Sequence, residues 1–66
     1  MNTKDKVKED KIRTLVYSFY RKHDLSPDTY KDSIEDIVYN CMVEVRNYPD
    51  IEINKFFVIQ MILENY

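Results

Sequence analysis

Apolar residues recur every three or four positions along most of this chain, and the recurrence breaks twice. Between Thr3 and His23 they fall at Ile12, Leu15, Val16, Phe19 and Tyr20, spacings that put them on one face of a helix. The two turns before them, TKDKVKEDK, carry Val7 as their one apolar residue and are expected to fray. The pattern returns at Tyr30, Ile34, Ile37, Val38, Cys41 and Val45, with Met42 on the flank. A third run, from Phe56 to Tyr66, is apolar on most sides.

Local chemistry marks the two breaks. In LSPDTY, Ser26 suits a helix N-cap, Pro27 the first helical position and Asp28 the positive end of the dipole. Leu25 and Tyr30 are placed to close a hydrophobic staple across that cap. The second helix ends at Asn47 or Tyr48, because Pro49 cannot continue it. The following DIEI alternates as a strand does, but no second strand is evident to pair with it. Asp50 is therefore read as the cap of a third helix. The expectation is a single all-α domain over residues 1–66, with three helices at about 3–23, 27–47 and 51–65. Its short connections favour antiparallel neighbours.

The third helix has more apolar surface than two neighbours need. On a wheel of about 100° per residue, Phe56, Val58, Ile59, Ile62, Leu63 and Tyr66 form one broad arc, which is expected to face the core. Phe57 and Met61 lie four residues apart on another side, set off by Gln60 and Glu64. Tyr39 and Val43 repeat that spacing opposite the core face of the second helix. Single exposed apolar residues are ordinary. Leaving a Phe exposed, however, forgoes about 1.5–3 kcal/mol in a domain of this size. Phe57, Met61, Tyr39 and Val43 are accordingly expected to form an interface, with a second copy as the simplest cover.

Composition narrows the alternatives. A chain of 66 residues is marginal as a fold by itself. Cys41 is the only cysteine, so no disulfide within the chain can help, and with His23 it makes too few soft ligands for a zinc site. The absence of glycine excludes glycine-rich phosphate loops. No alanine, with many Lys, Asn, Ile and Tyr, suggests an AT-rich genome, as in low-GC bacteria, phages or viruses. No membrane span or signal-peptide core stands out, and a cytoplasmic protein is expected.

The net charge of −2 is unevenly distributed. Residues 1–23 carry seven Lys/Arg and three Asp/Glu, +4, and residues 24–66 carry three and nine, −6. Lys6, Arg13, Tyr17 and Arg21 line one side of the first helix, where they could meet nucleic acid. The plainer reading is a solvated face with Arg packed on Tyr at a four-residue spacing. Asp28, Asp32, Glu35 and Asp36 give the second helix an acidic surface, which would suit a basic partner or simply complement the helix dipole. His23 reads as a helix-end residue and Cys41 as a core residue. No nucleophile–base pair or cofactor motif is present, so no enzyme, cofactor, metal or small-molecule substrate is expected. The sequence therefore points to a small regulatory or inhibitory protein that binds another protein and self-associates as a homodimer. The alternative is a nucleic-acid-binding regulator using the basic stripe of the first helix.

Overall fold

Ile12, Val16 and Tyr20 stand one helical turn apart, and all three are buried. They belong to α1 (Thr3–Lys22), which packs with α2 (Lys31–Asn47) and α3 (Lys55–Asn65) in a computed structural model that describes residues 3–65. Among those residues there are three α-helices and no strand. Each helix touches both others. From α2 come Ile34, Ile37, Val38, Cys41, Met42 and Val45, the face expected from its spacing. Leu15, Phe19, Leu25, Ile51 and Ile53 close the edges of this core. Tyr66, expected on the inner arc of the third helix, lies outside the described residues.

α1 ends without glycine. Asp24 takes a left-handed conformation, φ 58°, in which a short polar side chain is tolerated better than most. The Leu25 N–H donates to the Tyr20 carbonyl at 2.8 Å and the Asp24 N–H to that of Arg21 at 3.1 Å. This is the Schellman closure, and it satisfies carbonyls that the helix end would leave orphaned.

Both later helices start further along than expected. α2 begins at Lys31 and not at Pro27, and Tyr30 occupies the cap position without any side-chain cap hydrogen bond. Ser26 accepts the Tyr30 N–H through its backbone carbonyl, at 3.2 Å, so residues 26–30 make a single turn. That turn brings the Tyr30 ring to 5.8 Å from the Tyr20 ring, and this aromatic contact between helix ends takes the place of the expected staple. α3 begins at Lys55, not at residue 51. Its cap is Asn54, whose Oδ1 accepts the Phe57 N–H at 3.0 Å, an arrangement worth about 1 kcal/mol. Asp50 is exposed and caps nothing. The alternation in DIEI has a different meaning. Its irregular backbone turns Ile51 and Ile53 half-inward and leaves Glu52 out, which buries apolar surface without a pairing strand.

Cys41 is fully buried on α2, and burial, reinforced by the nearby Glu44 carboxylate, pushes its thiol up to about 11. A thiol held neutral this way packs as a small hydrophobe. Because its folded pKa lies above its unfolded one, its contribution to stability is intact below the unfolded pKa of about 8.5. That contribution is lost as pH rises toward the folded value. Native protein at neutral pH is expected to react with a thiol reagent only as fast as it opens, and urea to restore full reactivity. Rapid labelling of the folded chain would show that Cys41 is accessible.

Candidate functional site

The wide apolar helix is oriented opposite to the expectation. Phe57 and Met61 are each 8% exposed and lie in the core with Val58 and Ile62. Phe56 and Leu63, expected inside, are 68% and 71% exposed. Ile59 is half-buried between them. Val58 and Ile62 belong to both candidate arcs, so the choice turned on their flanks. Lys55 sits in the middle of the expected arc, whereas no charged residue interrupts Phe57, Val58, Met61 and Ile62. Burying the expected arc would drag an ammonium group toward the core, at a cost no aliphatic neighbour offsets. The case for obligatory dimerisation through Phe57 and Met61 falls with this result. On α2, Tyr39 is 67% exposed and Val43 half-buried, so of the four expected interface residues only Tyr39 stands clear of the fold.

The exposed residues of α3 adjoin a groove. Leu15, Phe19 and Lys22 of α1 face Lys55, Val58 and Ile59 of α3 across a cleft of about 120 Å³. Its floor is aliphatic and aromatic, and a lysine belongs to each wall. Phe56 and Leu63 flank Ile59 by one turn on either side, so they extend the apolar surface along the outer wall. The Lys55 ammonium lies 5.3 Å from the centre of the Phe56 ring. Sequence reasoning placed Phe56 and Leu63 inside and did not single out Leu15, Phe19 or Lys22 as site residues. The signal available for this groove was the interruption by Lys55.

The stripe expected to meet nucleic acid is engaged within the chain. Arg13 donates to both carboxylate oxygens of Glu35, at 3.0 and 3.2 Å, and lies 3.6 Å from Glu9. Partial burial would lower the Arg13 pKa, but the hydrogen bonds and charge of Glu35, with Glu9, overcome this and hold it above its ordinary value. Lys6 pairs with Asp10 at 3.4 Å. The Arg21 guanidinium lies 6.0 Å from the centre of the Tyr17 ring, the packing expected of the plainer reading. The acidic surface is divided by the same bridge: Glu35 is tied to Arg13, while Asp28, Asp32 and Asp36 remain exposed. His23 is exposed and rests on Phe19, with ring centres 4.4 Å apart.

A second cleft, about 200 Å³, lies between α1 and α2 and is bounded by Glu9, Arg13, Glu35, Tyr39 and Arg46. The bidentate Arg13–Glu35 pair crosses between the helices here and ties α1 laterally to α2. Among the described residues, no group of three His, Cys, Asp or Glu is placed to hold a metal ion, and no helix is long and apolar enough to cross a membrane. No family model matches the chain, and neither the curated proteins nor the solved structures yield a match to it.

Proposed function

We propose that this chain is a small protein-binding regulator or inhibitor of the cytoplasm, which acts by docking its α1–α3 face on another protein and occluding it. The observation that carries this reading is the exposure of Phe56 and Leu63 beside an apolar groove, on a helix whose opposite side already supplies the core. Two large apolar side chains next to a preformed cleft gather the contact area that interfaces use at their centres. The fold itself does not need them outside. Phe57 and Met61, expected at the interface, are buried, but the physical ground for binding, apolar surface beyond what the core consumes, persists on the opposite side of α3.

Site-specific photocrosslinking tests this in the cells that make the protein. A photoreactive phenylalanine at position 56 is expected to give one discrete adduct, lost when Leu63→Glu is added. The same probe at position 39, on the outer side of α2, should give none. An added mass equal to the 8.1 kDa chain identifies a second copy as the cover, and any other mass a different protein. Adducts at position 39 alone, or at neither position, would overturn the assignment of the face.

A further inference from the structure

We infer that the α1–α3 groove is built for an amphipathic helix whose apolar stripe is flanked by Glu or Asp; this rests on the protein-binding reading and adds the chemistry of the partner. Two observations carry it. The first is shape. The groove runs between two helices, the setting in which a third helix fits its side-chain ridges, and no sheet edge exists among the described residues for an extended peptide to join. The second is charge. Lys22 and Lys55 stand on the two walls. Lys8 and Lys11 continue the same edge of α1, seven and four residues before Leu15. Among the described residues, Lys8, Lys11 and Lys22 have no carboxylate at ion-pair distance, in contrast to Lys6 and Arg13 on the other side of the helix. Four cations without an ion pair among the described residues thus gather along the edges of the apolar floor, although residues 24–66 of the same chain carry a charge of −6.

Charge complementarity decides the occupant. Carboxylates flanking an apolar stripe would settle over Lys22 and Lys55 as the stripe fills the floor, speeding encounter and fixing which face of the helix turns inward. A second copy is a poorer fit. Its α3 stripe already forms one wall of the groove and carries Lys55, and the acids Asp32 and Asp36 on the outer side of α2 have only Tyr39 and Val43 as apolar company. In a three-helix bundle that side is opposite the groove between the other two helices. Self-docking would therefore run head to tail without closing. Nucleic acid is also a poorer fit, since the floor formed by Leu15, Phe19, Val58 and Ile59 offers a single ring and no hydrogen bond to a base.

Two labelled synthetic helical peptides test this with the full chain. They share one Leu/Ile stripe, flanked by Glu in one and by Lys in the other. Fluorescence anisotropy is expected to show the Glu peptide binding at least about tenfold more tightly at low salt. The difference should shrink as salt screens the rim. NMR shift changes should centre on Leu15, Phe19 and Ile59. The double variant Lys22→Glu/Lys55→Glu, which alters only exposed side chains, should reverse the preference with an unchanged circular dichroism spectrum. Equal binding of both peptides in the groove would overturn the charge rule and leave the protein-binding reading standing. Failure of the Glu peptide to bind, or tighter binding of phosphatidylserine vesicles or duplex DNA to this face, would overturn the inference outright.

Discussion

Phe57→Asp is expected to leave the chain unfolded, whereas Phe56→Asp, one position earlier, should melt close to the wild-type temperature. The difference follows from an exposure of 8% at Phe57 and of 68% at Phe56. Deleting a buried Phe costs about 3–5 kcal/mol, and that is before the carboxylate is desolvated. A domain this small has only about 3–5 kcal/mol in total. A substitution at an exposed position away from special features changes stability by no more than about 0.5 kcal/mol. Far-ultraviolet circular dichroism with urea titration reads both. A folded Phe57→Asp beside an unfolded Phe56→Asp would mean that α3 is turned the other way, and the groove would then not exist as described.

That pair of variants also marks where the sequence was legible. The inner faces of α1 and α2 could be read because each has one apolar side and one charged side. Ile34, Ile37, Cys41 and Val45 admit a single orientation. α3 admits two, since apolar residues nearly encircle it, and period alone cannot choose between arcs that share Val58 and Ile62. The choice was made by one lysine and by the start of the helix, set by the Asn54 side chain. The helix starts were misread for a related reason. Ser26-Pro27-Asp28 has the residues of a cap, but a cap and an isolated turn draw on the same chemistry. What separated them was the Tyr20 ring, ten residues before Tyr30, which it meets only because the chain turns back after α1. The basic stripe could be located but not evaluated. Lys6 and Asp10 are neighbours in sequence, whereas Glu35 lies 22 residues from Arg13 and reaches it only through the packing of α2 on α1.

Ile37→Ala is expected to lose most of the folded population, while Ile37→Val retains it. Ile37 is completely buried on α2. Truncation to Ala costs about 2–5 kcal/mol and to Val about 0.5–1.5 kcal/mol, the spread reflecting how far neighbours can close the cavity. Here they can close little, because three helices share a single core and each is held by both others. The urea midpoint should fall modestly for Val and below measurable stability for Ala. The effect extends to the groove. Val58 is buried in the core and also lines the cleft, so α3 cannot leave α2 without opening the site it forms with α1. Ile37→Ala should therefore abolish peptide binding together with the helical signal, whereas Lys22→Glu/Lys55→Glu changes which peptide binds and leaves that signal intact. If Ile37→Ala unfolded the chain but left a helical α1–α3 pair still binding, the groove would be a property of two helices and not of the three-helix core.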